Sequence, residues 1–510
     1  MSVFLSASDL FFEYESSSEP LFAELSVQFS PGWTGVVGAN GTGKSTLLKL
    51  LCGVLEPDAG TVRRSGMAVY CEQDAALPPS ELPGLFGAYD SYSRRLVEGL
   101  RLEPDMVKRW GTLSWGERKK MQIACALFRH PEILCVDEPA NHLDIEAKAL
   151  LAGELGNFKG IGVLVSHDRE LLDFLCAQNL FLESGRAIMR SGGIGEGMGQ
   201  ARSELVSLLG RRRQLKNELK RGKRELQRRR EKEQRARSCD NKKKLDCHDH
   251  DGKSKIDAAR VSGRDRRQGD LAGLQEKVVA RAGEMLAGLG EVKIPRYSLK
   301  IPYGCYSSKN TLLELAERSI GLGADRRLLI PELRLEQRDR VALTGVNGSG
   351  KSTLLAVIAG ELKLGRDEYL FMPQEFSPEM QAEIHEEMRG LSRGEFSLVM
   401  NVVASLGSRP ERVLDSNKCS PGEWRKLFFG LGALRRISLI VMDEPTNHLD
   451  LPSVECLETA LRACCSALLL VSHDLAFLRN TCDIHWHIGE NADGVNTLLK
   501  GGTLQEAAIS

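Results

Sequence analysis

The chain has 510 residues, with 69 Lys+Arg against 69 Asp+Glu, 13 cysteines and 42% hydrophobic residues. That length and apolar content imply several globular domains with their own cores. No apolar run approaches the roughly 20 residues that span a bilayer, which excludes a membrane pore built from this chain.

The zero net charge hides a division. Residues 201–282 carry 26 basic and 13 acidic side chains, a net of +13, so the remainder is −13. A basic element on acidic domains points to a polyanionic partner for that element alone. The stretch Met1 to Leu10 has no basic region followed by an apolar core, so no secretory signal is expected. The cysteines are scattered without repeat spacing, and Cys52, Cys125 and Cys135 lie in apolar runs. That usage fits a reducing cytosol better than a disulfide framework.

In chain order, the apolar run Trp33 to Val37 predicts a buried strand and Lys44 to Leu51 the start of a helix. Between them lies GANGTGKS, Gly38 to Ser45. Such a loop lets backbone amides approach phosphate oxygens at a helix N-terminus. The nucleotide-binding candidates here are Gly38, Asn40, Gly41, Gly43, Lys44, Ser45 and Thr46. Lys44 would neutralise the β- and γ-phosphates and Ser45 would bind Mg²⁺. Gln73, 29 residues after Lys44, is placed to join the metal shell through its side-chain amide. LSWGE follows, in which Ser114 reads as the N-cap of a helix beginning near Glu117.

The strand Ile133 to Val136 ends in Asp137 and Glu138 and continues Pro-Ala-Asn-His-Leu-Asp. Asp137 is placed to hold Mg²⁺ through its water shell, and Glu138 to polarise an attacking water. His167, after the strand Ile161 to Val165, is the candidate γ-phosphate sensor.

The basic segment comes next. Leu205, Leu208, Leu215, Leu219 and Leu226 recur with a heptad-like alternation that Arg212 and Gly222 interrupt. Leu271, Leu274, Val278 and Met285 repeat the spacing on the far side of a polar stretch from about Ser238 to Asp270. An antiparallel helical hairpin is expected, carrying Arg211 to Arg213 and Arg228 to Arg230. A solvated helix face or tether is the blander reading of such charge. Cys239, Cys247, His248 and His250 lack metal-site spacing, so a lysine-rich tip is preferred to a metal site.

Every motif then returns about 306 residues later. GVNGSGKS supplies Gly345, Asn347, Gly348, Gly350, Lys351, Ser352 and Thr353, and Gln374 follows. CSPGE supplies Ser420 and Gly422, and LIVMDEPTNHLD supplies Asp443 and Glu444. His473 closes the series. Ser352, Gln374 and Asp443 are the metal candidates here, as Ser45, Gln73 and Asp137 are in the first copy. Glu138, Glu444, His167 and His473 are the candidate catalytic residues. Four motifs in one order at a near-constant offset mark a tandem duplication. The expected fold is α/β: two P-loop ATP-binding cassettes in tandem (residues 1–195 and 296–510) joined by a basic α-helical hairpin (196–295).

Lys, Gln, Ser-x-Gly-Glu, Asp-Glu-Pro-x-Asn-His-Leu-Asp and His in this order resemble ATP-binding cassette ATPases. Two cassettes in one chain, both with the Asn-His-Leu-Asp ending, resemble the ABC-F family of ribosome-associated factors, over the whole chain. The resemblance implies two ATP molecules, each with Mg²⁺, sandwiched head to tail. One site would use Lys44, Ser45, Asp137, Glu138 and His167 with Ser420 and Gly422. The other would use Lys351, Ser352, Asp443, Glu444 and His473 with Ser114 and Gly116. Asp144 and Asp450 would couple them.

It also implies a cytoplasmic monomer with intramolecular cassette pairing, whose linker reaches rRNA and tRNA near the tRNA exit site. Such a protein would act as a general translation factor or in antibiotic resistance. A transporter's energising subunit has no use for a +13 insert, and a DNA-acting ATPase of the SMC type would split one cassette around its coil. Three departures stand out: Trp115 and Pro421 replace a small residue, Cys419 replaces Leu, and Tyr14 has no aromatic counterpart near Gly321. The two sites are therefore expected to be unequal.

Overall fold

The computed structural model describes residues 3–15, 20–141, 143–183, 186–239, 264–288, 310–323, 326–408, 419–491 and 494–501. These fall into two units, Met1–Gly197 with Pro295–Ser510, and Met198–Ile294.

In the first cassette the strands are β1 (Leu5–Phe12), β2 (Phe22–Phe29), β3 (Gly32–Gly38), β4 (Ala59–Arg64), β5 (Ala68–Cys71), β6 (Ile133–Asp137), β7 (Ile161–Val165), β8 (Cys176–Glu183) and β9 (Arg186–Ser191). Strands β6 and β7 bury every residue, as continuous apolar runs do when helices cover both faces of a parallel sheet. The sheet order is β5-β6-β7-β3-β8-β9, parallel as far as β8, with β9 antiparallel at the edge. A separate antiparallel sheet, β2-β1-β4, stands beside it. The helix Lys44–Cys52 lies between the two. Its Leu47, Leu48, Leu50 and Leu51 share one core with Leu5, Leu10 and Phe22 of the small sheet and Ile133 and Val163 of the large one.

The second cassette contains β10 (Thr311–Leu315), β11 (Arg318–Gly323), β12 (Arg326–Ile330), β13 (Leu333–Glu336), β14 (Arg340–Gly345), β15 (Tyr369–Met372), β16 (Leu439–Asp443), β17 (Ala467–Val471), β18 (Ile484–Glu490) and β19 (Asn496–Lys500). Its parallel core repeats the first as β15-β16-β17-β14-β18. Strands β19, β12 and β11 extend it into one eight-stranded sheet.

The second unit is built from most of the helix Ile194–Cys239 together with the helix Arg264–Gly288. Their contact corrects the expected seam. Leu274, Val278 and Met285 are 65%, 53% and 43% exposed, whereas Ala282 is buried. A Cβ at Gly222 would meet Val279 Cγ2 at 2.9 Å and Gln275 at 3.6 Å, and Arg230 pairs with Glu276 at 2.7 Å. These contacts place the two helices side by side. Gly222 does not interrupt the seam but is the point of close approach, and the inward face of the second helix is one position out from the large apolar side chains. Leu208 is exposed, while Leu215 is buried as expected. The second helix also begins earlier than Asp270, at Arg264. Cys247, His248, His250 and the lysines from Lys242 to Lys255 lie outside the described residues, and nothing is described of the side chain of Leu271.

Gly162 tests the packing of the first sheet. A Cβ there would lie 2.4 Å from the Trp33 ring, which is held by its Nε1–H donating to Leu155 O at 2.9 Å and by the Phe158 ring 5.7 Å away. Gly162→Ala should lower unfolding stability by about 1–3 kcal/mol through overpacking. Gly153→Ala, on an exposed helix face with nothing within 4 Å, should raise it by roughly 0.5–1 kcal/mol. Chemical denaturation of the two variants measures both signs.

Candidate functional site

Strand order assembles the site. Because β6, β7 and β3 are neighbours, their carboxyl ends present Asp137–Glu138, His167 and the phosphate loop at one edge, the usual ligand position in doubly wound sheets. Strands β16, β17 and β14 do the same for Asp443–Glu444, His473 and the second loop. Gly43 and Gly350 cap the loop helices at φ 93° and 104°, a conformation that costs glycine nothing. The Lys44 ammonium donates to the carbonyls of Gly38 (2.8 Å) and Ala39 (3.2 Å). Lys351 donates to Gly345 (2.8 Å) and Val346 (3.0 Å). Burial lowers both lysine pKa values.

Glu138 and Glu444 occupy positive φ, 45° and 49°, which is unusual for a side chain of this kind. Their own N–H groups donate to Val165 O and Val471 O, and that bond to the neighbouring strand end holds the bend. Each carboxylate accepts from the backbone of its histidine: His167 N–H at 3.2 Å and His473 N–H at 3.3 Å. The second oxygen, Oε1, lies 3.2 Å from His167 Nε2 and 3.5 Å from His473 Nε2, but neither Oε1 has a well-directed hydrogen bond. These contacts are not ion pairs. Burial, reinforced by Lys44 or Lys351, lowers His167 and His473 to about 3, so both rings are neutral at pH 7. Burial pushes Glu138 and Glu444 up to about 7, the range that suits a general base.

The two metal-binding candidates differ. Asp443 Oδ2 accepts from Ser352 Oγ at 2.8 Å, whereas Asp137 Oδ2 accepts from Tyr70 Oη at 3.1 Å. Tyr70 corresponds to Phe371 by its place in the β5–β6 and β15–β16 pairings. Asp137 Oδ1 is buried without a hydrogen-bond partner. No group of three or more His, Cys, Asp or Glu gathers around a metal position among the described residues. One carboxylate and one hydroxyl suit a hard cation that keeps its waters and takes phosphate oxygens, so the residues fit Mg²⁺. Gln73 and Gln374 are exposed. Their backbone carbonyls are what the structure engages.

Those carbonyls reveal residues that motif reading missed. Lys119 is fully buried, and its Nζ donates to the carbonyls of Glu72, Gln73 and Asp137. Arg425 donates to Gln374 O and Glu444 O. Each cation stands five residues after its signature serine and ties the loop after β5 or β15 to the acidic strand end. Trp115 lies against Lys119, whose Nζ is 5.5 Å from the ring centroid.

Tyr14 Oη and Thr46 Oγ1 are 2.9 Å apart, and the Tyr14 ring meets Phe12 edge-on, which leaves it half-exposed beside the phosphate-loop helix. In the second cassette β11 and β12 are joined by two residues, and Gly350 packs on Leu322 and Leu328. Gly321 lies within β11 itself, paired with Arg327.

The cassettes engage each other reciprocally. Asp450 Oδ2 accepts from Asn40 N–H at 2.8 Å, and Asp144 Oδ2 accepts from Asn347 N–H at 3.2 Å. The remaining oxygen of each aspartate caps its own helix, at Ser453 and Ala147. Burial opposes the charge on Asp450, but Lys426, Ser453 and the Asn40 amide outweigh it and hold its pKa below the usual value. Asn40 Nδ2 also donates to His448 O. A Cβ at Gly422 would lie 2.6 Å from that carbonyl, so the second signature lies directly against the loop that grips the first phosphate loop. Ser114 and Ser420 cap the helices Trp115–Phe128 and Pro421–Gly432 and donate their hydroxyls to Glu117 and Glu423.

Fold and site together define an ATPase of the ATP-binding-cassette class with both cassettes in one chain. The ABC transporter family model matches residues 22–141 and 330–447. The chain is 31% identical to the tylosin resistance ATP-binding protein TlrC of Streptomyces fradiae, over 89% of this chain and 92% of that protein. It is 28% identical to the ribosome protection protein VmlR of Bacillus subtilis, over 94% and 86%. A solved archaeal ribosome recycling factor, aABCE1, shares the fold at a TM-score of 0.60 and 19% identity, covering 96% of this chain and 89% of that one. The chain belongs to the ABC-F family of tandem-cassette ATPases.

The raised carboxyls set a pH dependence. Only the deprotonated carboxylate can take a proton from water, and its fraction grows as pH passes through about 7. The histidines, already neutral, add no limb in that range. Because kcat/KM reports groups of the free enzyme, kcat/KM for ATP should rise through about pH 7 and level off above it. A profile flat from pH 6 to 8 would remove Glu138 and Glu444 as bases.

Proposed function

We propose that the chain binds the ribosome near the tRNA exit site and uses ATP binding to close its two cassettes and ATP hydrolysis to open them and release it. The observation that carries this reading is the reciprocal bond between each aspartate, Asp144 or Asp450, and the opposite phosphate loop, since it makes each site depend on both cassettes. Lys44 and Lys351 turn from loop carbonyls to phosphate oxygens. Tyr14 offers its ring to adenine at the first site. Glu138 and Glu444 orient and deprotonate the attacking water, and neutral His167 and His473 contact the γ-phosphate. Ser114 and Ser420, with Gly116 and Gly422, complete the opposite sites through helix N-termini that favour an anion. Mg²⁺, held by Ser45 and Asp137 or by Ser352 and Asp443 with Gln73 and Gln374 nearby, would supply charge neutralisation on the transferring phosphate.

The ribosome assignment draws on the names of two relatives, one a ribosome protection protein and the other a tylosin resistance protein, and on the +13 segment. Those names favour drug protection over a general translation role. No described helix is long and apolar enough to cross a membrane, and the proposed location is cytoplasmic, as a monomer. Arg211, Arg213 and Arg228 are exposed, while Arg229 and Arg230 pair with Glu225 and Glu276 at 3.1 and 2.7 Å. Surface bonds of this kind are worth only about 0–1 kcal/mol, so RNA phosphates can replace them.

Sedimentation with ribosomes tests the proposal. The Glu138→Gln/Glu444→Gln protein should pellet with ribosomes in ATP and not without it. If about six phosphates are contacted, log affinity should fall against log salt with a slope of roughly −4 to −5. Changing Arg211 to Arg213 and Arg228 to Arg230 to Gln should reduce that slope while leaving the ATPase of the free protein unchanged. Full ribosome binding by the six-arginine variant would contradict the assignment. Raised tylosin tolerance in a sensitive host expressing the chain would distinguish drug protection from a general role.

A further inference from the structure

The helix Ile145–Gly156 starts at the coupling residue Asp144, and one turn later it carries Lys148. The ammonium of this lysine bonds Asp168 Oδ2 at 2.5 Å within its own cassette, then crosses to the second cassette, where it donates to His473 O at 3.1 Å. Its side chain is only 18% exposed. Burial lowers its pKa, but the charge and hydrogen bond of Asp168 outweigh burial and raise it, so it remains an ammonium. Its field also reaches Glu444 and His473.

The residue it grips is central to the second site. The N–H of His473 donates to Glu444 Oε2, and its ring nitrogen Nε2 lies 3.1 Å from Asn347 Oδ1 of the phosphate loop. Holding the His473 carbonyl therefore fixes a peptide, a ring and, through both, a carboxylate and a loop. Among the described residues the first site has no equivalent of this bond. The position four residues after Asp450 is Val454, buried in the apolar core at 2% exposure, and an isopropyl group cannot bond to His167 O.

We infer that Lys148 is a positioning residue that the first cassette supplies in trans to the second ATPase site, so that hydrolysis there depends on a cation the first site lacks. The inference rests on the reading of Glu444 and His473 as the second site's hydrolytic pair. Cassette separation removes the ammonium from His473, so the second site turns over only in the closed arrangement. Among the described residues, the first site is reached from the other cassette by the Asp450 and His448 bonds to Asn40, with no such cation on its histidine carbonyl.

The test is vanadate trapping of radiolabelled 8-azido-ATP on the full chain, followed by photolysis and assignment of labelled peptides to either cassette by mass spectrometry. Lys148→Met should cut label on the second cassette by about tenfold, within the usual size of coupling between sites, and leave the first within about twofold. Lys148→Arg should restore it. The Lys148→Met/Asp168→Asn protein separates this from a structural role. It removes the unpaired buried carboxylate while keeping an N-cap at residue 168, and it should stay defective at the second site only. Equal loss on both cassettes, undiminished second-site label, or full recovery in the double variant would overturn the inference. Glu444→Gln serves as a separate control: undiminished second-site trapping there would reject the hydrolytic reading itself, whatever Lys148 does.

Discussion

The carboxylates of Asp144 and Asp450 each bind two partners, and the rest of the molecule is arranged around that fact. One oxygen caps the aspartate's own helix, and the other accepts the backbone N–H of Asn347 or Asn40 in the opposite phosphate loop. A hydrogen bond to a charged group is among the stronger kinds, and here its donor is part of the surface that must hold phosphate. The shape of each loop is therefore set partly by the other cassette. Duplicating the cassette within one chain keeps the two loops at high effective concentration, which lets modest polar contacts such as Arg169–Glu458 and Arg479–Glu170 complete the interface.

Within this near-symmetric frame the two sites have diverged in chemistry. The first has a phenol beside the nucleotide loop and a second one, Tyr70, on Asp137, its candidate for the metal. The second has Phe371 in place of Tyr70, bonds Ser352 directly to Asp443, and bears on Asn347 through His473. Beneath its phosphate loop, Thr344 Oγ1 lies 2.7 Å from His485 Nε2 and 2.9 Å from His487 Nδ1. The corresponding positions in the first cassette, by sheet pairing, are Val37, Asn179 and Phe181. Equal backbones with unequal polar partners are the physical ground for expecting the two sites to differ in affinity and turnover.

Much of this was legible in the sequence because phosphate chemistry dictates residue types at fixed spacing. The phosphate loops, the acidic strand ends and both histidines stand where their motifs put them, and the strands Ile161–Val165 and Ala467–Val471 match to the residue. The helical hairpin was legible as two helices but not in its register. Leu274, Val278 and Met285 face outward, while Val279 and Ala282 face inward and Gly222 lets the backbones approach, and the apolar pattern alone does not reveal that choice. Lys119, Arg425, Tyr70 and Lys148 carry no motif. Each matters because of a partner far away in sequence, which only the assembled sheets bring near. The positive φ at Glu138 and Glu444 was equally hidden, since it follows from a bond to the neighbouring strand end.

The central claim is that each nucleotide site is completed by the other cassette's aspartate, and Asp450→Asn tests it most directly. Asparagine keeps the helix cap, because its carbonyl still accepts from Ser453, but it turns an NH₂ group, a donor, toward the Asn40 N–H. Photolabelling with 8-azido-ATP, read separately on the two cassettes, should then show weakened binding at the first cassette, which carries no substitution, and near-normal binding at the second. Loss confined to the second cassette, where the change was made, would contradict the account.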